Sequence, residues 1–293
     1  MSVARAAHVN QTGLGGEAVE PPHGLGCPPA STGFEQVDLR GVGFACVTEQ
    51  EVIRHLCSAH QRGRGGWIVT SNLDHLRRAE RDPQFRSLLG EADLVVADGM
   101  PLIWASRLRG TPLPERVAGS TLSVHLIDAV AEAGMRVFLL GGNDGVAAEA
   151  AREMRRRNPA IQIAGTHCPP FGFEKDPEQR QEIKRVLEAS EADLVLVALG
   201  SPKQELLIQS LRREGLLPGA WWIGVGISLS FITGEVHRAP LWMQRAGLEW
   251  THRMVQEPRR LLRRYVVEGI PFGMGLMRWA VAARLRAAGR RGS

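Results

Sequence analysis

Seven short apolar runs constrain this chain more than any other feature. They occupy residues 42–47 (VGFACV), 67–72 (WIVTSN), 93–99 (DLVVADG), 136–142 (RVFLLGG), 161–167 (IQIAGTH), 193–200 (DLVLVALG) and 221–228 (WWIGVGIS). Each is too short for a buried helix, and most end on Gly, Asn or Asp. Continuous apolar runs of this length read as strands covered on both faces, the mark of a parallel sheet between helical layers. The intervening segments carry helix signals. In NDGVAAEAAREMRRR, Asn143 and Asp144 are cap candidates, and Val146, Ala147, Ala150 and Met154 share a face. In DPEQRQEIKRVLEA, Asp176 is the expected cap, Pro177 the first helical residue, and Ile183 and Leu187 lie four apart. The fold expected is α/β, an open, mostly parallel, doubly wound (Rossmann-like) sheet over residues 35–235. Ligands of such sheets bind beyond the carboxyl ends of the strands.

The flanks differ in character. Residues 1–34, rich in Gly, Pro and small side chains, are expected to form a disordered extension. Residues 236–293 mix Trp, Leu and Arg. They hold twelve Arg against three Glu, so this segment carries +9 and residues 1–235 carry −4 of the total +5. The basicity belongs to the tail, which predicts an anionic partner there: a membrane surface or lipid phosphate, and not nucleic acid. A basic amphipathic helical appendage lying in the membrane interface is expected, with Pro271 interrupting its most apolar stretch. No positively charged segment with an apolar core opens the chain, and no run of eighteen apolar residues occurs, so neither a secretory signal nor a membrane span is expected. The four cysteines share no C-x-x-C spacing, which fits a reducing compartment.

The strand ends carry the candidate chemistry. Thr70 and Asn72 close one run, Asp98 the next, and Gly141, Gly142 and Asn143 form a glycine turn into a helix whose N–H groups could hold a phosphate. The stretch LGSPKQE turns at Gly200 and Pro202 and opens a helix with Lys203, Gln204 and Glu205. Each has a plainer reading as a turn or cap residue. Trp221 and Trp222 read as strand core, and His237 and His252 lack metal-ligand spacing. The glycine turn is not G-x-G-x-x-G, which weighs against a nucleotide-dependent oxidoreductase.

Taken together, TSN (70–72), ADGMP (97–101), RVAGS (116–120), FLLGG (138–142), PPFGF (169–173), LGSPKQE (199–205) and the run 238–265 resemble the WecG/TagA/CpsF glycosyltransferases, glycosyltransferase family 26, in collinear order. The resemblance covers residues 36–265. It implies transfer of a sugar from a UDP-sugar donor to a polyprenyl-diphosphate-linked saccharide acceptor, by a peripheral protein at the cytoplasmic face of the inner (plasma) membrane. It further implies Asp98 as catalytic base, Thr70, Asn72, Arg116 and Gln204 in the pocket, and an appendage that supplies Arg253, Arg260 and Arg263. Arg259 and Arg264 are expected to be solvated. Donors in the family are UDP-N-acetylmannosaminuronic acid, UDP-N-acetylmannosamine or UDP-glucose. The donor site is expected to add the glycine turn at 141–143 and Gly200, Pro202, Lys203 and Glu205. One departure is Ser230, which stands where the family often has an aspartate. No Asp-x-Asp pair occurs. Leaving-group charge is therefore expected to fall to arginines and helix-start N–H groups, with no metal and no cofactor besides the UDP-sugar co-substrate. A homo-oligomer is left open, as is a non-catalytic membrane or nucleic-acid-binding protein on a transferase-like body.

Overall fold

A computed structural model describes residues 33–245, 247–256 and 258–289, so all but the last two residues of the expected 1–34 extension lie outside it. The side chains of Leu241, Arg245 and Arg260 are also outside the description. The chain opens with strands β1 (Gln36–Leu39) and β2 (Val42–Ala45), an antiparallel hairpin. Arg40 and Gly41, its two-residue turn, both have positive φ, the geometry such hairpins require. This corrects the reading of run 42–47 as a parallel strand. A parallel partner needs a crossover of a dozen residues, and here two suffice.

Beyond the hairpin the chain alternates strand and helix. The order is α1 (Glu49–Gln61), β3 (Gly66–Ser71), α2 (Leu73–Arg81), α3 (Pro83–Gly90), β4 (Leu94–Ala97), α4 (Met100–Arg109) and α5 (Gly119–Glu132). Then come β5 (Arg136–Gly141), α6 (Val146–Arg157), β6 (Gln162–His167), α7 (Pro177–Ser190), β7 (Leu194–Ala198), α8 (Lys203–Arg213), β8 (Trp221–Gly224) and α9 (Ser228–Ile232). Six strands form one all-parallel sheet in the order β4-β3-β8-β7-β5-β6.

Successive side chains of a strand point to opposite faces, and the core divides accordingly. Trp67, Val69, Phe138, Leu140, Val195, Val197 and Trp222 pack in one layer, with residues of the hairpin and of α2, α3, α4, α7 and α8. Ile68, Val137, Leu139, Leu194, Leu196, Trp221 and Ile223 pack in the other, with α1, α5 and α6. Helices on both faces explain why the strand runs are apolar throughout. Asp176 caps α7 as expected, accepting from the N–H groups of Glu178 and Gln179. Asn143 and Asp144 do not cap α6; that position falls to Gly145, at φ +77° and with no side-chain cap bond.

After Gly234 the tail forms α10 (Leu241–Arg245), α11 (Glu249–Gln256), α12 (Pro258–Leu262), a π-helical stretch (Arg263–Gly269) and α13 (Ile270–Gly289). Pro271 does not interrupt it. Proline lacks an N–H and crowds the carbonyl four residues back. The widened turn just before it absorbs both effects, and the Ile270 N–H bonds to Tyr265 O. Helix α13 packs along α4, with Leu276 and Ala280 fully buried in the core. Arg109 stacks over the Trp279 ring at 5.5 Å. No helix among the described residues is long and apolar enough to cross a membrane.

Candidate active site

The chain runs from β3 to the edge strand β4, then crosses the sheet to β5, and β7 and β8 fill the space between. Where the strand order reverses, the carboxyl ends of β4, β3, β8 and β7 border a cleft of about 540 Å³. The tail forms its other wall.

Asp98 follows β4, and its N–H extends the ladder to Ser71 O at 2.8 Å. Its carboxylate accepts from the Gly119 N–H at 3.4 Å. A side chain at position 119 would push on Thr70, because a Cβ there would lie 2.9 Å from its Oγ1. Asp98 is half-buried at the cleft. Burial pushes its carboxyl above the ordinary aspartate range, and Glu249 adds to this; Arg116, the Gly119 amide and His75 pull the other way without cancelling it.

Thr70 and Asn72 close β3. The Thr70 hydroxyl donates to Gly224 O at 3.3 Å. Asn72 Oδ1 caps α2, accepting from the N–H groups of Asp74 (3.0 Å) and His75 (3.2 Å). From the β7 end, Gln204 Oε1 accepts from the Gly226 N–H at 3.1 Å. Its side chain lies flat on β8 because residue 224 is glycine, where a Cβ would be 2.6 Å from Gln204 Nε2. Thr70, Asn72, Asp98, Arg116, Gly200, Gln204 and Arg253 all line the cleft.

The other sequence candidates lie elsewhere. Gly141, Gly142, Asn143, Pro202, Lys203 and Glu205 are not part of the cleft lining. Asn143 Nδ2 donates to Glu235 at 2.9 Å, and Lys203 pairs with Glu174 at 2.6 Å and stands over the exposed Phe171 ring. Glu205 is buried behind Gln204. The arginine expectations are corrected as well. Arg263 points outward, with 83% of its side chain exposed, whereas Arg264 lines the cleft and pairs with Asp74 at 2.9 Å. Ser230 is buried and hydrogen-bonds Glu235, so a carboxylate stands beside this position although residue 230 is not acidic.

Three groups escaped the sequence reading. Glu249, at the start of α11, receives Arg116 at 2.9 Å and lies 3.6 Å from Arg238. Its signal was to be one of three acids in a basic tail. His75 sits three residues past the cap Asn72, a capping-box spacing that the sequence displays. Asp74 joins body to tail: Arg77 meets both Asp74 and the tail's Glu268 at 2.7 Å. Burial pushes the Asp74 carboxyl up, but Arg264 and Arg77 together hold it below the usual range.

The tail gives the cleft two chemistries. Arg253, Arg264 and the Trp250–Tyr265 edge contact (6.1 Å) stand near the polar floor. Met100, Trp104, Ile270, Met274 and Met277 form an apolar wall between α4 and α13, and it opens to solvent at Trp104 and Met274. A carboxylate of raised proton affinity, amide and hydroxyl groups, guanidinium groups and an apolar ramp thus converge on one cleft.

Comparison with known proteins gives these features a family. The model of the glycosyl transferase WecG/TagA/CpsF family matches residues 37–286. An N-acetylglucosaminyldiphosphoundecaprenol N-acetyl-beta-D-mannosaminyltransferase of Bacillus spizizenii is 35% identical over 212 residues, covering 72% of this chain and 79% of the relative. The chain belongs to the WecG/TagA/CpsF family of glycosyl transferases.

Proposed function

We propose that this family member is an inverting transferase that moves a sugar, of N-acetylmannosamine type or glucose, from a UDP-sugar to a polyprenyl-diphosphate-linked saccharide in cell-surface or exopolysaccharide synthesis. The observation that carries the reading is Asp98: a carboxylate held at the cleft floor with its proton affinity raised by burial. A base poised closer to neutrality accepts a proton from a hydroxyl more readily than an ordinary aspartate does. In the reaction the acceptor hydroxyl gives its proton to Asp98 and its oxygen bonds to the anomeric carbon. The bond from that carbon to the UDP oxygen breaks on the opposite face, and the electron pair leaves with UDP. Arg253 and Arg264 stand near enough to the floor to neutralise that charge, with Arg116 joining them if it exchanges Glu249 for a phosphate. Amide and hydroxyl groups of Asn72, Gln204 and Thr70 orient the sugars.

The apolar wall suits the first isoprenoid units of the acceptor, leading them past Trp104 and Met274 towards a bilayer. Exposed Trp242, Val255, Val267 and Leu285, set among arginines, suit peripheral contact with an anionic membrane, which we assign to its cytoplasmic face. The activity of the Bacillus spizizenii relative, on a diphosphoundecaprenol-linked sugar, supports the acceptor class. The test is a panel of UDP-sugars with a polyprenyl-diphosphate-sugar acceptor. One donor should be turned over by the wild type and lost in a folded Asp98→Asn variant. Near wild-type turnover in that variant removes Asp98 from the base role.

A further inference from the structure

One buried group of side chains is not used by this mechanism. His75, 4% exposed, is engaged at each ring nitrogen: Nδ1 accepts from the Asn72 backbone N–H at 3.3 Å and lies 2.9 Å from Asn72 Oδ1, and Nε2 lies 3.2 Å from Glu205 Oε1. Neither oxygen can turn into a donor. Asn72 Oδ1 is pinned by two backbone N–H groups, and Glu205 Oε1 already accepts from Gln204 Nε2 at 2.7 Å. Nε2 therefore carries the proton that Glu205 Oε1 accepts, while Nδ1 meets the Asn72 N–H. Glu205 is 2% exposed. Burial opposes its charge, yet the hydrogen bond and charge of His75, with the Gln204 amide and its own backbone N–H, hold it ionised below the usual carboxylate range. Its Oε2 has no partner among the described residues, so His75 is its principal support. The chain Asn72–His75–Glu205–Gln204–Gly226 spans three strand ends that only the fold brings together.

We propose that His75 is a positioning residue of the transfer reaction: clamped between Asn72 and buried Glu205, it fixes the amides of Asn72 and Gln204 in the orientation that meets the sugars. With Oδ1 of Asn72 held inward by two backbone N–H groups, the NH2 end of that amide is the end left for a ligand. With Oε1 of Gln204 on Gly226 and Nε2 on Glu205, that amide cannot flip either. The inference rests on the proposed transfer reaction but concerns different residues.

The experiment combines kinetics with a spectroscopic readout on the full chain. ¹⁵N-histidine spectra, with the His75 signal assigned by its loss in His75→Gln, should show Nε2 protonated in the wild type at the assay pH. In Glu205→Gln the Nε2 signal should move towards the unprotonated position, since the anion that held its proton is gone. In His75→Gln, kcat should fall on the order of 10²-fold, the scale of losing ångström-level orientation, while donor KM stays within about threefold. A wild-type His75 with Nε2 unprotonated overturns the clamp, as does a folded His75→Gln with kcat within about threefold of wild type. If His75→Gln does not fold, the isosteric Glu205→Gln decides by the same kcat criterion. Wild-type turnover is the control for the functional reading. If it is absent with every UDP-sugar, that reading fails, while the spectrum still judges the clamp.

Discussion

Docking of the tail helix α13 on α4 can be tested through two leucines of the same helix. Leu276 is fully buried in the core shared with α4, and Leu285 is 68% exposed. Leu276→Ala removes apolar surface from the interior and leaves a void. Truncations of this kind cost about 2–5 kcal/mol, and a fully buried site between two helices belongs near the middle, about 3 kcal/mol. Leu285→Ala removes the same atoms from a site already in water and should change stability by less than about 0.5 kcal/mol. If α13 opens separately from the sheet, 3 kcal/mol raises its open population on the order of 10²-fold, at about 1.4 kcal/mol per decade. Native-state hydrogen exchange resolves this: α13 amides should speed by that factor in Leu276→Ala while β5, β7 and β8 amides keep their protection. Acceptor KM should rise in the same variant, because Met274 and Met277 lose their place on the cleft wall. Unchanged α13 exchange in Leu276→Ala, or equal effects of the two substitutions, would refute the assignment of Leu276 to the docking contact.

Other consequences follow from the charges around the floor. As the proposed base, Asp98 must be ionised to accept a proton, and burial raises its proton affinity, so kcat/KM should fall on the acid side through a limb lying above the ordinary aspartate range near 4. A pH profile with its acid limb at or below 4 would contradict this. Glu249→Gln removes a negative neighbour of Asp98 and releases Arg116, and both changes favour the ionised form, so the acid limb should move to lower pH. A limb that stays or rises would count against that electrostatic account. Trp104→Ala should raise KM for a long-chain polyprenyl acceptor several-fold and leave a short-chain analogue within about twofold; equal effects on both would remove the lipid from that wall.

Much of this arrangement was legible along the chain, for definite reasons. Six apolar runs announced the sheet strands because both faces are covered, and Asp98, Thr70, Asn72 and Gln204 met because parallel strands present their carboxyl ends on one side. Strand β1 went unread: four residues alternating inward and outward are too few to stand out from loop sequence. Glu205 was read as a ligand contact because it opens a helix beside Gln204, yet its neighbour His75 lies 130 positions earlier, a distance that only tertiary structure closes. Arg263 and Arg264 were assigned the wrong way round for a local reason. They open the π-helical stretch, where i→i+5 bonding shifts the angular phase of every side chain relative to an α-helix.

The tail's charge excess, seen at first as a single property, divides by direction. Of its acids, Glu249 meets Arg116 and Glu268 meets Arg77, both on the body, while the body's Asp74 meets the tail's Arg264. Tail and body thus exchange charges of opposite sign in both directions around the cleft rim, and a uniformly basic tail could not do this. These contacts are partly shielded from solvent, so salt weakens them less than it weakens exposed charges. Arg259, Arg278, Arg284 and Arg286 are exposed instead, where attraction to an anionic surface is long-ranged and salt-sensitive. The same residue type therefore serves two tasks, separated by which way the backbone turns it. Docking that rests on Leu276, Ala280 and the shielded pairs can persist when the exposed charges are screened, so under the proposed membrane contact the cleft need not come apart on release.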